Sequence, residues 1–302
     1  MRVSQRAIND VTVANLGVSL EKMLKLQEKI STGRAISRPS DQPLDFNRAM
    51  GIRAVLEGNA QQQRNIDFAK SWLNATDSAI QQGSDILQRA RELAVRGAND
   101  SMDPLARRQM AAEVLQLREQ MRVVANSDLG GRYLFAGSDQ LETPYPESGA
   151  DLNNTDRLAF EVGLKVTMTY NVPGVTVFGS TARDDAGQLV EASNAFQALE
   201  ALHEALTKDD GKGIAATLSV FDDRLEQMLA AQAEVGARVN RLEILTERLA
   251  DQRVNLQGLK SEAEDADIAT LITDLNQQDA VYRASLAATQ RVIQPTLLDY
   301  LR

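Results

Sequence analysis

The chain has 302 residues, no cysteine, 4% aromatic residues and a formal charge of −9. Without cysteine there are no disulfides, no thiolate nucleophiles and no Cys-based metal sites. The acidity argues against a nucleic-acid backbone or an anionic membrane surface as partner, because both need clustered Lys and Arg.

The first segment carries an amphipathic seam of Val13, Leu16, Leu20, Met23, Gln27 and Ile30, alternating steps of three and four residues. Met1–Asp10 has no apolar core of the kind a cleaved signal peptide needs. No run of about 18 apolar residues is present, so no transmembrane helix is expected. Ser40 and Asp41 are candidate caps and Pro43 suits a first helical turn. From there a second seam runs through Val55, Asn59, Gln62, Ile66, Ala69, Leu73, Thr76, Ile80, Gly83, Leu87, Ala90 and Ala94, ending near Gly97. Asp103-Pro104 opens another helix, to about Ala125, with Leu105, Ala112, Leu115, Leu117, Met121 and Val124 as apolar members.

The middle of the chain changes period. Leu164, Val166, Met168, Tyr170 and Val172 alternate with polar residues, as in a half-buried strand. Pro173-Gly174 is a turn signal, Val175 to Phe178 reads as a returning strand, and Leu158, Phe160 and Val162 make a third. Three strands are marginal alone, so this region should lean on the helices or on neighbours.

Helical period returns with Ile214, Leu218, Phe221, Leu225, Met228, Gln232, Val235, Val239, Leu242, Thr246, Leu249, Arg253 and Leu256. A last seam holds Ile268, Ile272, Leu275, Asp279, Tyr282, Leu286, Thr289 and Ile293. A helix of about 55 residues is roughly 80 Å long, more than the diameter expected of a compact chain of this size. The expected fold is mostly α: a long rod of coiled-coil helices from both chain ends with a small inserted antiparallel β domain. Residues 1–42 with 263–302 form the terminal coiled-coil part. Residues 43–137 with 193–262 form the helical rod, and 138–192 the β domain. Residues 2–34 hold six basic against three acidic side chains, and residues 262–302 three basic against seven acidic. Opposite signs favour the two terminal helices lying side by side.

Catalytic or metal chemistry finds little support. His203 is the single histidine and has no partner of ligating type. Asp209-Asp210-Gly211-Lys212-Gly213 lacks the spacing of a phosphate or calcium loop and reads as a helix–helix turn. Asp184-Asp185 reads as a solvated loop, and Glu264-Asp265-Asp267 as the polar start of a helix, where carboxylates suit the dipole. Trp72 reads as a packing residue, with recognition as its alternative. No catalytic residue, no metal and no cofactor is expected. The residues that should carry function are the apolar members of the terminal seams: Val13, Leu16, Leu20, Met23, Ile30, Ile272, Leu275, Tyr282, Leu286 and Ile293.

Several segments resemble a known family. Lys29-Ile30-Ser31-Thr32-Gly33-Arg34 and Arg38-Pro39-Ser40-Asp41 are similar to the N-terminal segment of bacterial flagellins and hook-associated proteins. Arg64–Asp67, Ser71-Trp72-Leu73 and Arg89–Ala94 resemble the helix that follows it. Gly131-Arg132-Tyr133-Leu134-Phe135-Ala136-Gly137 resembles the form found in the junction members of that family. Glu264–Ala269 and the closing Gln294–Leu301, with Leu297, Leu298 and Leu301, resemble its C-terminal signature. The likeness covers about 1–137 and 194–302 and leaves the β insert unmatched by motif.

This resemblance implies a non-enzymatic subunit of the bacterial flagellum, an adaptor between hook and filament that polymerises through its terminal helices. The implied partners are further copies of itself in a ring or helical layer, the first hook-associated protein, flagellin and an export chaperone. Nucleic acid and membrane are not among them. It also implies an extracellular place in the flagellum, reached through type III export without a cleaved signal peptide. A short flagellin is the alternative reading, and a secreted helical translocator a more distant one.

Overall fold

The computed structural model describes residues 5–99, 102–146, 155–163, 166–179 and 194–293. The elements are α1 (Gln5–Thr32), α2 (Pro43–Gly97), α3 (Pro104–Ala125), β1 (Asp128–Leu129), β2 (Arg132–Tyr133), β3 (Ala159–Gly163), β4 (Val166–Thr169), α4 (Gly174–Phe178), α5 (Ala195–Lys208), α6 (Gly211–Glu264) and α7 (Ile268–Ile293). They fall into two compact units, one of Met1–Gly58 with Asp251–Arg302, the other of Asn59–Ala250. The two longest helices, α2 with 55 residues and α6 with 54, contribute to both units.

In the second unit α2 and α6 run antiparallel in constant register. Lys70 pairs with Glu243 at 2.7 Å, Gln232 donates to Gln81 at 3.2 Å, and Arg91 pairs with Asp222 at 2.6 Å. Each step up one helix is matched by the same step down the other. The seams read from sequence are the buried faces: on α2, every member from Ile66 to Ala94 is buried. On α6, Ile214, Phe221, Met228, Val235, Leu242 and Leu249 are buried, alternating with half-buried members. This alternation is the a/d pattern of a helix pair.

Asp103 caps α3 by accepting from the Leu105 amide, with Pro104 in the first turn. The buried face of α3 is Arg107, Ala111, Val114, Leu117, Met121, Val124 and Ala125, packed against α5. Leu105, Ala112 and Leu115, expected on the apolar face, are exposed. The early turns of α3 bury Arg107, Ala111 and Val114 instead, a face set about one residue earlier. His203 Nδ1 lies 2.9 Å from the Ala111 carbonyl, which makes it a strut between α5 and α3. Asp209, in the left-handed region at φ 60°, ends α5 just before α6 begins, as expected for a helix–helix turn.

Among the described residues the β elements are two antiparallel hairpins. The β1–β2 turn is Gly130-Gly131, both at positive φ (63° and 79°), which is what a two-residue turn matched to strand twist requires. The β3–β4 hairpin pairs Phe160 with Met168. It leans on the helices: Asn65 of α2 donates to the Glu161 carbonyl at 2.9 Å, and Arg238 of α6 to the Asn171 carbonyl at 2.9 Å. Val175 to Phe178, expected as a returning strand, is helical instead. Residues 175–178 wind into α4 so that Val177 and Phe178 both turn inward. Phe178 then meets Phe135 and Tyr145 edge-on, with ring centres 5.0 and 5.4 Å apart. A strand would have sent Val177 and Phe178 to opposite faces. Trp72 is fully buried and stacks edge-on with Tyr170 at 5.6 Å, a packing role. Leu164 and Asp184-Asp185 lie outside the described residues.

Candidate assembly surface

In the first unit α1 and α7 pack antiparallel. The uncharged residues of α1 turned away from solvent are Thr12, Leu16, Ser19, Met23, Leu26 and Ile30; those of α7 are Leu271, Leu275, Gln278, Tyr282, Ser285 and Thr289. Both sets alternate steps of four and three, so each is one continuous stripe. Gln278 Nε2 donates to Ser19 Oγ at 2.8 Å across the middle of the pair.

The sequence reading found one track of each stripe and misplaced the other. Leu16-Met23-Ile30 and Leu275-Tyr282 are half-buried within this pair. Their companion tracks are Thr12-Ser19-Leu26 and Leu271-Gln278-Ser285. The more apolar neighbours one residue later are left in solvent: Val13 is 62% exposed, Leu20 39%, Ile272 47% and Leu286 37%. Leu24 and Ile268 are exposed with them. By the helical turn of about 100° per residue, Val13, Leu20 and Leu24 share one flank of α1. In an antiparallel pair Ile268, Ile272 and Leu286 emerge on that same flank of α7. The result is an open apolar strip fed by both terminal helices and interrupted on α7 by Asp279, which pairs with Arg283 at 2.9 Å. Ile293 belongs to α7 but its side chain lies outside the described residues, as do Leu297, Leu298 and Leu301.

The opposite flank is mixed, with Val11, Val18 and Val281 exposed beside charged side chains. A cleft of about 460 Å³ there is lined by Lys22, Lys25, Lys29 and Arg38 with Asp274 and Val281. Glu21 holds Lys25 at 2.8 Å, which raises the lysine's pKa and lowers the glutamate's.

The signature residues at the base of the pair have local tasks. Ser31 and Thr32 hydroxyls donate back to the Glu28 carbonyl at 3.0 and 2.9 Å, and Gly33, at φ 68°, ends α1 in the left-handed conformation. Asp41 accepts from the Arg38 amide at 3.1 Å, closing a turn around exposed Pro39 just before α2. Gly33 O accepts from Ala266 N at 3.0 Å, and Ala35 N donates to Glu264 O at 2.7 Å, so the two links between helices zip together. Asp267 caps α7, accepting from Ala269 N at 3.0 Å and from the Thr270 hydroxyl at 2.8 Å; these bonds hold its carboxyl below the ordinary aspartate range.

Glu264 corrects the expectation of a polar helix start. It ends α6, is 2% exposed, and lies against Arg53 at 2.7 Å. Its approach raises the Arg53 guanidinium's pKa. In the other unit, Gly131 turns the β1–β2 hairpin, and Tyr133 in β2 pairs with Asp128. Phe135 is buried against Phe178, and Gly137 sits at φ 62°. Among the described residues no group of three or more His, Cys, Asp or Glu could hold a metal ion, and no helix is long and apolar enough to cross a membrane.

Long paired helices and two terminal helices joined in one antiparallel coil define a helical, structural type of protein. Residues 3–140 match the bacterial flagellin N-terminal helical region and residues 218–301 the flagellin C-terminal helical region; the chain belongs to the bacterial flagellin family. It is 24% identical to flagellar hook-associated protein 3 of Salmonella typhimurium over 300 residues, spanning 94% of this chain and 95% of that protein. It is 25% identical to flagellin of Bacillus subtilis over 298 residues, 95% of this chain and 94% of the relative. A solved structure of a putative flagellar hook-associated protein from Vibrio parahaemolyticus shares the fold, with a TM-score of 0.66 at 22% identity, covering 74% of this chain and all of that one (100%).

Proposed function

We propose that this chain is a structural subunit of the bacterial flagellum, set at the junction of hook and filament, with no catalytic step. The carrying observation is the open strip of Val13, Leu20, Ile272 and Leu286 in a chain matched over 94% of its length by a hook-associated protein. Apolar side chains held in solvent along both terminal helices are unfinished contacts, and further copies of the chain complete them. The tracks of Leu16, Met23, Ile30, Leu275 and Tyr282 support the strip from beneath.

Around this surface the proposed partners are the first hook-associated protein on one side and flagellin on the other, with an export chaperone before assembly. The proposed route is type III export without a cleaved signal peptide, to an extracellular place in the flagellum. Residues 1–42 and 263–302 are the assembling part, 43–137 and 193–262 the rod, and 138–192 the small β domain. A short flagellin is the second reading, favoured by the near-equal length and full-length match of the Bacillus subtilis relative.

Deletion of the gene followed by electron microscopy separates the two. Hooks without filaments, with flagellin shed into the medium, are the expected result. Intact hooks and junctions with no filament protein at all would move the assignment to flagellin.

A further inference from the structure

At the base of the α1–α7 pair both chain ends change direction at one level. Arg34 stands opposite Asp265 in a single antiparallel bridge. The Glu264 side chain turns inward beside it. Arg53 Nε of α2 reaches Oε1 at 2.7 Å, obliquely, so that the oxygen has no aligned hydrogen-bond donor, and Arg34 Nε lies 3.9 Å from Oε2. A carboxylate this deeply buried is tolerated only with its countercharges in place.

The seam above it carries one pair that specifies register, Gln278 to Ser19 at 2.8 Å. A slide of one heptad would break that pair, although in one direction it would still set Leu16 against Leu275. The same slide would displace α1 from α7 by about 10 Å. With only three residues between α6 and α7, that slide would pull Arg34 away from Glu264 and undo the backbone bonds from Ala35 to Glu264 and from Ala266 to Gly33. We infer that Glu264, gripped by Arg53 and Arg34, is a positioning residue that holds the register of α1 against α7 together with the Ser19–Gln278 pair, and with it the alignment of the open strip. This holds for the single chain and does not depend on which flagellar layer the chain occupies.

The chain has no native cysteine, so cysteines introduced at Leu24 and Ile272, both exposed and nearly level on one flank, carry a unique pair of spin labels. Electron–electron distance measurement on the purified full chain should give one narrow distance. Glu264→Gln, close in shape but uncharged, and Arg53→Met should each add a population displaced by about 10 Å along the helix. Arg53→Lys, which keeps the charge, should retain the narrow peak. The thermal transition of the larger unit serves as the folding control and should not move. An unchanged peak in Glu264→Gln, a broad distribution already in the Glu264 parent, or a Lys variant as broad as the Met variant would overturn the assignment.

Discussion

The Gln278 side-chain amide donates to the Ser19 hydroxyl at 2.8 Å and to the Ser19 carbonyl at 3.3 Å, midway along the pair of terminal helices. A polar pair inside an apolar seam is costly to break from one side. Ser19→Ala leaves the amide short of a partner and should loosen the pair by about 1–3 kcal/mol. The combination Ser19→Ala with Gln278→Leu should recover most of that loss, since both partners become apolar. Hydrogen exchange of the α1 amides in the two variants checks the order.

Leu20 and Leu286 occupy the open strip without contributing to the buried seam. Leu20→Asp or Leu286→Asp should therefore abolish assembly while the far-ultraviolet helical signal stays within a few per cent of the parent, by rough expectation for surface changes. Sedimentation after assembly, beside circular dichroism of the soluble chain, reads both quantities. Loss of central helicity in either variant would contradict the division between the two units.

Arg107 is a buried cation with three tasks. It donates to the Gly97 carbonyl at 2.9 Å and to the Asn99 carbonyl at 2.9 Å, and it pairs with Asp209. It thus closes the end of α2, the start of α3 and the end of α5 with one guanidinium. Arg107→Met should destabilise the larger unit by about 2–4 kcal/mol, because buried carbonyls lose charged donors. Urea unfolding followed by tryptophan fluorescence is suited to the test, since Trp72 is the sole tryptophan and lies in that unit.

Gly174 sits where a side chain has no room. A Cβ there would meet the Tyr145 hydroxyl, and the Phe135 carbonyl at 3.0 Å. Gly174→Ala should cost about 1–3 kcal/mol by forcing the aromatic cluster of Phe135, Tyr145 and Phe178 apart. A lower melting temperature and a changed near-ultraviolet dichroism are the expected signs.

Asp267 gives the coil an acid limit. Hydrogen bonds from the Thr270 hydroxyl and from the Thr270 and Ala269 amides hold its carboxyl below the ordinary aspartate value of 3.8. A depressed carboxyl contributes its full stabilisation above that ordinary value and loses it as pH falls through the lower folded value. Amide protection in the first turn of α7 should therefore fall on acidification below about pH 4, and Asp267→Asn should flatten that response. An unchanged pH profile in the Asn variant would remove Asp267 as the cause.

The long helices were legible because their information is local. Pro43 as a start, Gly97 as an end, Asp103-Pro104 as a cap and the apolar steps of α2 and α6 need no knowledge of distant residues. The same is true of Leu16-Met23-Ile30 and of Leu275-Tyr282. Periodicity alone could not decide which neighbouring track completes the stripe, since Val13 and Leu20 are more apolar than Thr12 and Ser19. The partner helix made that choice, admitting Ser19 with Gln278 and leaving the valine and leucine outside. Val175–Phe178 is a similar case: its β-branched run reads as strand until the Phe135 and Tyr145 rings require Val177 and Phe178 on one side. Glu264 marks the limit most clearly. In sequence it is one of three acidic residues before a helix, and Asp267 does act as that helix's cap. Only the folded chain brings Arg34 and Arg53 to Glu264 across more than two hundred intervening residues. Local patterns set which segments wind into helices; the fate of a buried charge depends on which distant charges reach it, and that is a property of the tertiary structure.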